Sequence, residues 1–137
     1  MRGAGGEGLP LLPLLDVRSG RGLVAEHTIL RFDEQGLIPA IVQDPDTHEV
    51  LVLAFMNRAS IEHTYATGHV TFWSRTRSEL WEKGATSGNW LRFVSMRKNC
   101  EANSLLVLAR PLGPVCHTLN YSCYYRDFDP AADLPAV

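Results

Sequence analysis

Leu37-Ile-Pro-Ala-Ile-Val-Gln43, Asp44-Pro-Asp-Thr-His-Glu49 and Val50-Leu-Val-Leu-Ala-Phe-Met56 follow one another without a break, two apolar runs around a polar hexapeptide. β-Branched residues on either side of a Pro/Asp turn predict an antiparallel hairpin. The polar residue directly after it, Asn57, is a helix N-cap by type, and Gly68 suits the left-handed residue that ends a helix. A helix from Arg58 to Thr67 is therefore expected, with Ile61 and Tyr65, one turn apart, on its inward face. His63 on that helix reads as a surface residue rather than a ligand.

Working outward, His69 to Ser74 reads as a strand. Trp90 to Lys98 alternates with period two, placing Leu91, Phe93, Ser95 and Arg97 opposite Trp90, Arg92, Val94, Met96 and Lys98. Ser104 to Ala109 is a further, buried strand. The polar run Asn99-Cys-Glu-Ala-Asn103 joins the last two tightly, which puts Cys100 at a hairpin tip. The pattern predicts an α+β fold, an antiparallel β-sheet with few helices.

A chain of 137 residues is one domain by size. We divide it into residues 1–29, an N-terminal extension expected to be partly disordered, and a domain over 30–137. Hydrophobic residues make up 45%, charged residues 20%, and the formal charge is -2. That balance carries no nucleic-acid or membrane footprint. The apolar run Leu9 to Leu15 is short and broken by two prolines, so it is neither a signal peptide nor a membrane span. Three cysteines cannot all pair, which fits a reducing cytoplasm.

Those cysteines are Cys100, Cys116 and Cys123. Three thiolates can fill three positions of a tetrahedral zinc and leave the fourth for water, as a catalytic site requires. Three buried free thiols are the alternative, since unpaired cysteine is among the most buried residue types. His117 follows Cys116 directly. In an extended segment the two would face opposite ways, so His117 reads as a base beside the metal or as a residue orienting a ligand by hydrogen bonding. Arg75 and Arg77 offer fork-shaped donors for phosphate, Lys83 a mobile charge, and the turn at Thr86-Ser87-Gly88 hydroxyls and close amides. A solvated charged hairpin is the plainer reading of the same stretch. Trp73 and Trp81 could stack on a base or belong to the core.

Cys116-His-Thr-x-x-x-Ser-Cys123, preceded by Gly113-Pro114, resembles the zinc loop of the phosphoribosyl-AMP cyclohydrolase family of histidine biosynthesis. Gly36 to Gln43, Leu53-Ala-Phe-Met-Asn57, Trp73-Ser-Arg-Thr-Arg77, Leu80-Trp81 and Lys83-Gly-Ala-Thr-Ser-Gly-Asn89 follow that family's pattern in order. The resemblance implies hydrolysis of the N1 to C6 bond of an N1-phosphoribosylated adenine. It also implies an intertwined homodimer, in which Cys100 of one chain meets Cys116 and Cys123 of the other around zinc. His117 would then act as general base, and Ser74, Arg75, Arg77, Trp81, Lys83 and the Thr86-Ser87-Gly88 turn would bind a nucleotide-like substrate. Zinc suits the step because it lowers the pKa of water from 15.7 toward ~7. The His-x-Glu and Pro-Cys-x-x-Cys signature of the zinc deaminases, which attack the same purine carbon, is missing.

The chain departs from that family where it carries three magnesium-binding aspartates. Here these positions are Asn99, Glu101 and Asn103, and magnesium prefers anionic oxygen, so the second-metal site is weakened. The family's glutamate before Thr-Ser-Gly is Ala85, and its glycine after Cys-His-Thr is Leu119. Three readings follow: the histidine-pathway cyclohydrolase working with zinc and little magnesium, a diverged zinc hydrolase of another purine-like heterocycle, and a non-catalytic zinc-linked dimer. An intact His117 argues against the third.

Overall fold

The structure, a computed structural model, describes residues 28–137. The expected hairpin is present as β1 (Ile38–Gln43) and β2 (Val50–Met56), followed by α1 (Arg58–Thr67), β3 (Thr71–Ser74), β4 (Glu79–Glu82), β5 (Leu91–Lys98), β6 (Leu105–Pro111) and a short α2 (Pro130–Asp133). Four strands form one sheet in the order β2-β1-β6-β5, and β3 and β4 form a second. The sheet is not wholly antiparallel as expected, because β1 and β6 run parallel, with Ala40 opposite Leu105. Ile38, Ala40 and Val42 of β1 and Leu105, Val107 and Ala109 of β6 are all buried, so both central strands face the same apolar core. Complete burial of residues such as Phe72, Ile38 and Leu51 contributes about 1.5–3 kcal/mol each.

The helix begins and ends where its sequence requires. Asn57 accepts the Ser60 amide at 2.8 Å while Ser60 Oγ accepts the Asn57 amide at 2.9 Å, a reciprocal cap. Gly68 ends it at φ 80. Its buried face is not Ile61 and Tyr65 but Ser60 and Thr64. Thr64 Oγ1 donates to Ser60 O at 2.8 Å and accepts the Thr71 amide at 3.0 Å. Small hydroxyl residues whose hydrogen bonds are met locally let the helix approach β3 closely. Ile61 packs beside this face against the core, and Tyr65, mostly exposed, lies edge-on to Phe93 with ring centroids 4.7 Å apart.

Two further corrections concern the strands. Trp90 lies outside β5, and a register shift between Phe93 and Ser95 breaks the alternation, so Met96 rather than Arg97 packs on the core with Phe93. The Glu79–Glu82 strand was not foreseen. It pairs with β3 through a turn in which Ser78 takes φ 53. The apolar Leu9 to Leu15 segment and all but the last two residues of the N-terminal extension drawn over 1–29 lie outside the described residues. Among the described residues, no helix is long and apolar enough to cross a membrane.

Candidate active site

β4 ends in Glu82 and runs directly into Lys83-Gly-Ala-Thr-Ser-Gly-Asn89, which folds back on itself. The Gly88 amide donates to Gly84 O at 2.8 Å, and Gly84 takes φ 99 against the backbone of Trp90. A Cβ at Gly84 would sit 2.6 Å from Trp90 N and Cα, so the turn requires glycine both for its dihedral and for space. This loop forms one wall of a cleft of about 580 Å³, and Cys116, His117 and Leu119 form part of another.

The cleft brings together Arg77, Trp81, Lys83, Thr86, Ser87, Cys116 and His117 from segments that the sequence singled out separately. Ser74 and Arg75 do not join them. They line a neighbouring cleft with Phe55 and Trp73, where the Arg75 guanidinium lies 4.0 Å over the Phe55 ring. Trp81 is common to both clefts and packs at a tilt on Phe72, 5.5 Å between centroids. It is 43% exposed, which leaves part of its face free for a flat ligand.

Cys116 and His117 are not in an extended segment. The Leu119 amide donates to Cys116 O at 2.9 Å, closing a turn that points both side chains at the same cleft, and Leu119 is held at φ 71. Thr118 Oγ1 donates to Cys116 Sγ at 3.0 Å, and Asn120 Nδ2 donates to Thr118 Oγ1 at 2.8 Å. The Thr118 hydroxyl and amide, with the Cys123 thiol behind them, lower the Cys116 pKa. Burial raises that of Cys123, and the Cys116 charge adds to it. Cys116 is thus the more acidic of the two thiols. Burial lowers the Lys83 ammonium, while the two sulfurs pull it back up, so lysine stands as counter-charge to the thiol pair.

Cys100 is exposed at the β5–β6 tip, and neither it nor Asn99, Glu101 or Asn103 lines the cleft. Among the described residues of one chain, no three His, Cys, Asp or Glu side chains are arranged to hold a metal. Cys116 and Cys123 are soft thiols of the type that zinc takes, and Cys100 lies apart from them at the tip. At the tip, Asn99 Oδ1 accepts the amides of Asn103 and Ser104 at 2.8 and 3.1 Å, and Asn99 Nδ2 donates to Asn103 Oδ1 at 2.7 Å. Two carboxylates could not make that last bond, so the amides close the loop on themselves. The five departures noted in the sequence thus fall in two places, Asn99, Glu101 and Asn103 at the tip and Ala85 and Leu119 in the cleft wall.

One charged group in the cleft went unnoticed in the sequence. Glu82 is bracketed by two histidines, His69 Nδ1 at 2.9 Å from Oε2 and His63 Nε2 at 3.2 Å from Oε1. The His69 hydrogen bond, opposed by burial and helped by His63, lowers the Glu82 carboxyl below its ordinary value. His69 also stacks on Trp90, 4.1 Å between centroids. His63 is thus half-buried and partnered, with its helix tied to β4. Only the closeness of His63 and His69 in the chain hinted at this.

Comparison with known proteins bears on the same residues. The family model described as phosphoribosyl-AMP cyclohydrolase matches residues 52–125, a span that includes both walls of the cleft. A phosphoribosyl-AMP cyclohydrolase of Sphingopyxis alaskensis is 54% identical over 96 residues, 70% of this chain and 76% of that protein. One of Archaeoglobus fulgidus is 53% identical over 97 residues, 71% of this chain and 90% of that protein. The histidine biosynthesis bifunctional protein of Bacillus subtilis is 52% identical over 98 residues, covering 72% of this chain and 47% of that longer one.

Proposed function

The chain belongs to the phosphoribosyl-AMP cyclohydrolase family, and from that premise we propose that it opens the six-membered ring of N1-phosphoribosyl-AMP in histidine biosynthesis. The observation that carries the reading is the single cleft holding His117, Cys116, Lys83, Arg77 and the Thr86-Ser87 hydroxyls together.

Arg77 and Lys83 bind the substrate phosphates, Thr86 and Ser87 hydrogen-bond them, and Trp81 offers its free face to the heterocycle. His117 takes a proton from the attacking water as its oxygen bonds to C6 and returns it to N1 as the N1 to C6 bond breaks, while the second water proton passes to the exocyclic imino nitrogen. The oxygen remains as the carbonyl of the new carboxamide. Cys116 and Cys123, completed by Cys100 of the partner subunit in a homodimer, are the residues that would hold zinc, which when bound supplies Lewis acidity toward the water. The separation of Cys100 from the other two thiols within one chain supports a shared site. Ser74 and Arg75, in the neighbouring cleft, reach the same substrate only across Trp81. Its three free cysteines suit a reducing compartment where thiols stay available to metal, and the cytoplasm is the location proposed on that ground.

A second reading, hydrolysis of a related purine-like heterocycle, is favoured by one observation, the self-closing amide pair of Asn99 and Asn103 where the resemblance calls for magnesium ligands. The test is to incubate zinc-loaded protein with phosphoribosyl-AMP and follow the ultraviolet spectrum. Ring opening that is lost with Cys116→Ser supports the first reading, and no turnover of this substrate refutes it.

A further inference from the structure

Cys116, which lines the cleft, and Cys123 lie at either end of one loop, and hydrogen bonds inside the loop fix only its first half. The Cys116 amide donates to Asn120 O at 3.1 Å, and the Leu119 amide returns to Cys116 O. The second half, Tyr121 to Cys123, is placed from outside. Ser122 Oγ donates to Val50 O at 2.7 Å and the Cys123 amide to Leu51 O at 2.8 Å, which seats the exit of the loop on the β2 edge. Tyr121 reaches further, and its hydroxyl donates to Asp44 Oδ2 at 2.6 Å, with Thr47 Oγ1 also at 2.6 Å.

Asp44 is built to receive it. The side chain is buried at 6% exposure in the β1–β2 turn, where its other oxygen accepts the amides of Asp46 and Thr47 at 2.8 and 3.4 Å. The same residue closes the turn through its backbone, donating to Glu49 O and accepting from His48 N, both at 2.9 Å. A buried carboxylate with both oxygens in use defines a fixed point, and the phenol joins that point to the loop across 77 residues of sequence. Breaking the contact strands an acceptor on a buried carboxylate and leaves the exit half of the loop on its two bonds to β2 and a longer one, 3.3 Å, from the Val115 amide to Tyr121 O.

We propose that Tyr121 and Asp44 are positioning residues for the Cys116–Cys123 thiol pair, a latch from the β1–β2 turn that sets where the second sulfur lies relative to the first. The zinc arm of the test rests on the metal reading above, and the thiol arm does not. In metal-free protein, alkylation rates of Cys116 and Cys123 are mapped by mass spectrometry, and zinc affinity is measured by chelator competition with Cys116→Ser as the baseline. Tyr121→Phe keeps the ring and removes the latch. It should weaken zinc on the order of 10- to 100-fold, the usual effect of removing a group that orients a metal ligand, and change the Cys123 alkylation rate several-fold.

Asp44→Asn, which retains a polar partner for the phenol, should fall between Tyr121→Phe and the unmodified protein. Arg110→Ala is the control. It removes the Arg110–Asp46 ion pair at the same turn without touching the latch, and should leave both readouts unchanged. Tyr121→Phe indistinguishable from the unmodified protein in both readouts overturns the proposal, as does Arg110→Ala moving the thiols equally, which would mean that only the stability of the turn matters. Should Cys116→Ser retain zinc, the metal reading fails, and the alkylation rates alone decide the latch.

Discussion

Replacing Leu119 with glycine should make the protein more stable. Leu119 sits at φ 71, where the Cβ of an L residue crowds the following carbonyl at a cost of roughly 1–2 kcal/mol. Its side chain is 73% exposed, so truncation sacrifices little burial. Against the relief stands the greater freedom of glycine in the unfolded chain, about 0.4–1 kcal/mol. The difference is a net gain of about 0.5–1 kcal/mol, which for a domain of this size raises Tm by about 2–5 °C. Thermal melts and urea midpoints of Leu119→Gly and Leu119→Ala read the effect. Alanine keeps the Cβ and the strain, so it should gain nothing. A lower Tm for the glycine variant, or an equal rise for alanine, would refute the argument from backbone strain. Because Leu119 also lines the cleft beside His117, turnover is measured in parallel, and a change in KM without a change in Tm would assign the leucine to substrate contact.

The remaining predictions test other parts of the site. Gly84→Ala combines a positive φ with a Cβ 2.6 Å from the Trp90 backbone, and should cost about 2–5 kcal/mol in urea unfolding; a loss under 1 kcal/mol would show that the turn can relax. Glu82 has a depressed pKa, so its contribution is present above the unfolded carboxylate value and is lost as pH falls through the folded one. Glu82→Gln should therefore be less stable than the unmodified protein near neutrality, with the gap closing in acid, and a gap independent of pH would contradict this. His117→Ala should lose on the order of 10²-fold or more in turnover while keeping its zinc, and retained turnover would exclude it as the base. Turnover should be nearly independent of magnesium, since amides do not offset the charge of the ion, and strong millimolar activation would show that Glu101 still anchors a metal.

Much of the protein could be read from the chain itself. The β1–β2 hairpin and the Asn57 and Gly68 caps are set by interactions between near neighbours, where residue type and spacing express the physics directly. Tertiary structure decided what depends on packing over distance. Parallel pairing of β1 with β6 joins strands more than sixty residues apart, and apolar runs look the same whichever way their partner points. The inward face of α1 went to Ser60 and Thr64 because close approach to β3 outweighed the apolar count. Arg75 turned to Phe55 and away from the cleft, and the two histidines closed on Glu82. The contact of Tyr121 with Asp44 has no periodicity to announce it. The sequence alone established the chemical inventory, because residue type fixes which thiols, imidazoles and guanidinium groups are present whatever the fold. Only the fold could decide which of them meet, since that depends on which strands share a core.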